Sequence, residues 1–119
     1  MDWAAQVRKL AEKGGQDLGR FCQGLKVELF SGVSSDTRVV SGRLRGNWQT
    51  QESTKPSGTL DRLDPNGILV EAEINQTAST DGVTYFVNNL PYAKKMEELD
   101  AMVGRNVARL RLIVKEGAK

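Results

Sequence analysis

Trp3, Val7, Leu10, Leu18, Phe21, Leu25 and Leu29, with Gly14 in the same row, recur at steps of three or four through the start of the chain. That spacing puts one apolar stripe along a helix, with Arg8, Lys9, Glu12, Lys13, Asp17 and Glu28 largely off it. Asp2 is placed to cap the first turn by accepting its orphan amide protons. Phe30-Ser31-Gly32 is the expected stop, with glycine ending the element. A helix of about thirty residues would span roughly 45 Å, whereas a compact domain of this length has a diameter near ~35 Å. Either the helix breaks at Gly14-Gly15, or its far end overhangs the domain and packs on a neighbouring subunit.

The rest of the chain reads as shorter elements. Ser41-Gly42-Arg43-Leu44-Arg45-Gly46 is a short helical turn or tight corner, and Trp48–Ser53 a strand. Lys55–Gly58 and Asp64-Pro65-Asn66-Gly67 are turns: proline presets φ, and Asn-Gly tolerates positive φ. Ile68–Asn75 alternates apolar with polar from Leu69 or Val70 onward and is expected as a half-buried strand. Asp81-Gly82 then turns the chain into a strand over Val83–Val87. Links this short favour antiparallel neighbours over parallel crossovers. Pro91 permits a helix to begin at its own position, carrying Tyr92, Met96 and Leu99. Met102, Val103, Val107, Leu110 and Val114 repeat at helical spacing, although Leu110, Leu112 and Val114 also alternate and keep a strand open. The expected fold is one α+β domain over residues 1–119. In it, a small antiparallel sheet of three to four strands packs against a long N-terminal helix and C-terminal helices.

A chain of 119 residues with 39% apolar and 27% charged residues buries roughly two-thirds of its unfolded surface, enough for a core of its own. It contains no histidine, which removes the commonest general base and the usual Ser-His and Cys-His pairs. Cys22 is the only cysteine, so no intrachain disulfide or thiolate metal site is expected; beside Phe21 it reads as a small apolar residue. No phosphate-cradling glycine loop is present, and no apolar run reaches the ~18 residues of a membrane span. The N-terminus lacks the layout of a signal peptide. Carboxylates are the remaining acid–base candidates: Asp61 with Asp64, Glu71 with Glu73, and Glu97, Glu98 with Asp100. Glu71 and Glu73 would share a solvated strand face, and the last group a helix surface near Lys94. None sits with a nucleophile, so no catalytic residue, cofactor, metal or small-molecule substrate is expected.

Two blocks carry more information than composition does. The first is Asp36-Thr-Arg-Val-Val-Ser-Gly-Arg-Leu-Arg-Gly-Asn-Trp48; the second is Val83-Thr-Tyr-Phe-Val-Asn-Asn-Leu-Pro-Tyr-Ala93. Together they resemble the signature blocks of the tail-completion (neck) proteins of long-tailed bacteriophages, Thr-Pro-Val-Asp-Thr-Gly-Arg-Leu-Arg-x-x-Trp followed by Asn-x-x-Pro-Tyr-Ala. Arg43, Leu44, Arg45 and Trp48 match the first block, and Asn89, Pro91, Tyr92 and Ala93 the second, with Leu90 inside it. The chain departs from the pattern in lacking the proline and aspartate of the first block. It also carries Glu97-Glu-Leu-Asp-Ala101 where a Tyr-Gly is common.

The resemblance implies a virion structural protein at the head–tail junction, made in the host bacterial cytoplasm. It would assemble as a homo-oligomeric ring, a hexamer being one option, that finishes the tail and joins it to the capsid connector. Other neck and tail proteins are the implied partners, and DNA only a passing cargo. The eight matched residues, with Leu90, are then the subunit or partner contacts. A small nucleic-acid-binding module using clustered arginines is the competing reading: Arg38, Arg43 and Arg45 near one corner, Arg105, Arg109 and Arg111 on the last element. A net charge of +2 and the want of an aromatic stacking platform, with Trp48 and Tyr85 read as core, speak against it.

Overall fold

The computed structural model describes residues 2–119; Met1 of the expected domain lies outside it. Helix α1 runs Trp3–Lys13 and α2 Leu18–Asp36, so the N-terminal stripe is cut at Gly14-Gly15. Both starts are capped by aspartate: Asp2 Oδ1 accepts from the Ala5 amide at 2.8 Å, and Asp17 Oδ2 from Arg20 at 3.1 Å. Gly15, at φ +65°, makes the reversal. No overhang results. The second helix, about 28 Å long, fits inside a molecule measuring 42 × 27 × 22 Å.

Helix α2 also runs past its expected stop. Gly32 lies inside it because a Cβ there would meet Asn106 Oδ1 at 2.3 Å, so the missing side chain lets the final helix approach. That helix, α6 (Met102–Gly117), resolves the ambiguous C-terminal pattern as helix. Its buried Asn106 donates to Asp36 Oδ2 at 2.8 Å, locking the α2–α6 crossing. Lys13 closes the other end on the Gly117 and Lys119 carbonyls at 3.0 and 2.6 Å.

Between these helices lie α3 (Arg43–Gly46), β1 (Trp48–Glu52), α4 (Ile68–Thr77), β2 (Thr84–Asn88) and α5 (Ala93–Asp100). The strands pair antiparallel, Trp48 opposite Asn88 and Glu52 opposite Thr84. The class is therefore mixed helix and sheet, but the sheet among the described residues has two strands, where three or four were expected.

The missing strand is Ile68–Asn75, which is helix α4. Asp64 Oδ2 accepts from the Val70 amide at 2.8 Å, and Gly67 enters at φ +74°, which starts a helix at the Asp-Pro-Asn-Gly turn. Val70 and Ile74, one turn apart, are then both fully buried, while Ile68 and Leu69 face outward. The alternation fitted either period, and the cap decided it.

The outer edge of β1 is closed by side chains instead of a strand. Glu73 Oε1 accepts from the Thr50 amide at 2.8 Å, and Arg62 Nη2 donates to the Trp48 carbonyl at 2.9 Å. Glu73 is thus no part of a solvated strand face, and Glu71 accepts from the Ser31 hydroxyl at 2.6 Å. The core beneath gathers Phe30, Val33, Leu44, Trp48, Val70, Ile74, Leu90, Ala93 and Met102. Phe86 is sandwiched in it, stacked on Phe30 at 4.6 Å and on Trp48 at 4.7 Å.

Candidate partner-binding site

The two sequence blocks meet in space. The α3 corner is forced by Gly42, at φ +90°, where a Cβ would lie 2.5 Å from the Pro65 nitrogen. Asn88 Nδ2 donates to the Leu44 carbonyl at 2.8 Å, tying the end of β2 to this corner. The chain then turns through Leu90-Pro91-Tyr92 into α5, whose helix begins at Ala93 and not at Pro91 as expected; Tyr92 is its N-cap.

The nine expected contact residues divide sharply. Leu44, Trp48, Leu90 and Ala93 are buried. Trp48 Nε1 donates to Thr37 Oγ1 at 2.9 Å, and that hydroxyl donates to the Val33 carbonyl at 2.7 Å. Asn89 Nδ2 donates to the Pro56 and Gly58 carbonyls at 3.1 and 3.0 Å, holding the loop that follows β1. The Arg45 guanidinium is spent on four carbonyls: Ser34 at 2.9 Å, Pro65 at 2.6 Å, Ser35 at 3.1 Å and Thr37 at 3.3 Å. Three of these belong to the last turn of α2 and its C-cap Thr37, whose own amide donates to the Ser34 carbonyl at 3.1 Å, and a cation is favoured at this end of a helix.

Arg43, Pro91 and Tyr92 remain exposed. Arg43 makes no side-chain hydrogen bond or ion pair among the described residues. It lines a cleft of about 280 Å³ together with Val40, Leu44, Tyr92 and Met96. Val40 is 94% exposed and Tyr92 43%, so this cleft has an apolar floor with a cationic edge. The sequence pattern grouped Tyr92, Met96 and Leu99 on one helix face but gave no sign that the face stays open; Leu99 is 61% exposed.

A second concavity, about 370 Å³, lies between α1 and α2, walled by Trp3, Val7, Leu18, Leu25 and Leu29. It is the N-terminal stripe, folded on itself and only partly covered. Cys22 is half-buried in its wall.

Most charged groups weighed from the sequence have internal work. Arg38 pairs with Asp100 at 2.6 Å, Arg105 with Asp36 at 3.6 Å and Arg109 with Glu28 at 3.1 Å. The arginines of the nucleic-acid reading are thereby dispersed over separate ion pairs, with Arg43 and Arg111 left unpaired among the described residues. Asp64 caps α4, and Glu97 accepts from the Val103 and Gly104 amides at 2.9 and 3.0 Å, capping α6. Glu52 has its pKa lowered, chiefly because the Thr84 hydroxyl donates to it, with Ser79 at 2.9 Å and the Lys26 charge assisting against some desolvation. No cluster of three or more metal-ligating side chains occurs among the described residues, and no helix there is long and apolar enough to cross a membrane. Compared with family models, curated proteins and solved structures, the chain matches none.

Proposed function

We propose that this chain is a bacteriophage virion structural protein of the head–tail junction, of the tail-completion or terminator type, working as a ring. The observation that carries the reading is the convergence of its two signature blocks on one cleft. Their apolar members build a rigid core, while Arg43, Pro91 and Tyr92 project from it. A site made for a reaction would gather acids, bases or nucleophiles; this one presents a cation beside apolar surface, the composition of a docking face. The mechanism is steric: copies close into a ring that caps the tail tube and presents a surface to the capsid connector, leaving a passage for DNA.

A closed ring uses head-to-tail contacts and so needs two different complementary patches on each subunit. The Arg43–Tyr92 cleft is one candidate. The groove between α1 and α2 replaces the overhanging helix expected from the stripe as the other. The pairing-off of Arg38, Arg45, Arg105 and Arg109 weighs against the nucleic-acid alternative. Mass measurement of the purified protein over a range of concentrations tests the reading. A discrete oligomer forming without nucleic acid agrees with it. A strict monomer at every concentration, in a protein also missing from purified particles, removes it.

A further inference from the structure

We infer that the Arg43–Tyr92 cleft takes an extended protein segment in which carboxylates flank an aliphatic side chain. The inference rests on the docking role proposed above and specifies the chemistry of its partner.

The cleft floor is continuous with α5. Met96 and Leu99 share one face of α5, Tyr92 is the N-cap that leads into it, and Val40 lines the same cleft as Tyr92 and Met96. Tyr92, Leu99 and Val40 are all exposed well beyond what packing requires. A cleft of about 280 Å³ suits a single side chain with its extended backbone more than a flat protein face.

The exposed charge at the cleft is cationic, while α5 carries its exposed acid, Glu98, further round the helix. Arg43 has no partner among the described residues, and Lys95, exposed, lies three residues after Tyr92, where helical spacing sets it beside the cleft. On the other flank Arg38 is 57% exposed at its side chain although paired with Asp100, whose own side chain is only 16% exposed. The acid is thus covered and the cations face outward. The Ser41 hydroxyl, on the cleft wall, adds a hydrogen-bonding group. Guanidinium groups match carboxylates in bidentate geometry, and a cationic rim around an apolar floor complements an acidic–aliphatic sequence. A nucleic-acid strand fits less well. Its bases would need stacking surfaces, and only Tyr92 among the lining residues is aromatic.

The test uses the full chain, labelled with nitrogen-15, and a short synthetic peptide alternating glutamate and leucine. Its glutamine-for-glutamate counterpart and a thymidine oligonucleotide serve as the other arms. The expected result is that the glutamate peptide shifts the amides of Gly42, Arg43, Tyr92 and Met96, and that its affinity falls as salt rises. The glutamine peptide should bind at least about tenfold more weakly. Arg43→Glu and Lys95→Glu should each weaken the glutamate peptide by about tenfold while leaving the rest of the spectrum unchanged, since both side chains are exposed. Equal binding of the two peptides, shifts confined to another face, or stronger binding of the oligonucleotide at these residues would each overturn the inference. Its fate is separable from that of the head–tail role. Absence of peptide binding, with particles still failing to join when the protein is missing, removes this inference alone. Peptide binding, with normal particles made without the protein, removes only the role.

Discussion

Arg62 and Glu73 form a 3.0 Å ion pair that seals the outer edge of β1, one taking the Trp48 carbonyl and the other the Thr50 amide. The pair does the hydrogen-bonding work of a third strand with two side chains. It also explains how a sheet of two strands persists, since an isolated two-stranded sheet is marginal in water. Arg62→Ala would leave the Trp48 and Gly46 carbonyls without donors and Glu73 without its counter-charge. The expected cost is about 2 kcal/mol, moderated because both groups keep some exposure. Chemical denaturation of wild type and variant measures it, and an unchanged midpoint would contradict the edge-sealing role.

Arg45 holds the C-terminal turn of α2 against the α3 corner through one planar guanidinium reaching four carbonyls. Lysine keeps the charge but offers a single ammonium that cannot span them. Arg45→Lys is therefore expected to lose about 1–3 kcal/mol of stability. A surface role in partner contact alone predicts a variant as stable as wild type, and thermal denaturation separates the two.

The lowered pKa of Glu52 has a definite sign. A carboxylate whose folded value lies below its unfolded value adds stability above the unfolded pKa, and that stability disappears as pH falls through the folded one. Stability should decline through this acidic window in the wild-type protein and less steeply in Glu52→Gln. Denaturation midpoints measured across the window for both proteins check it; parallel curves would contradict the assignment.

Arg43 has no structural partner among the described residues, unlike Arg45 two positions away. Arg43→Glu should accordingly leave stability within about 0.5 kcal/mol of wild type and yet, on the proposed head–tail role, abolish assembly into particles. Complementation of a phage lacking the protein reads this directly. Normal yields of infectious particles from the variant would remove Arg43 from the contact surface.

Much of the fold was legible where local chemistry left one solution. The Asp2 cap and the two strands follow from cap and turn residues, whereas the Gly14-Gly15 break and the C-terminal helix were each one of two readings the sequence left open. Ile68–Asn75 was not legible, because a short apolar run fits both periods and the deciding hydrogen bond comes from Asp64, outside the run. The two blocks were visible in the sequence and lie together in the fold, but which of their members stay exposed was not visible. Whether Trp48 or Tyr92 faces inward depends on contacts made across the fold. Trp48 is fixed by Thr37 and Phe86; Tyr92 has no such stack and stays open. Likewise Arg43 and Arg45 look equivalent in sequence, and only the approach of α2's end separates them.

The most direct test is electron microscopy of particles produced with this protein deleted. Filled heads lying beside unattached tails, restored to joined particles when the protein is supplied, is the result expected of a head–tail joining ring. Complete, infectious particles formed in its absence would contradict the account.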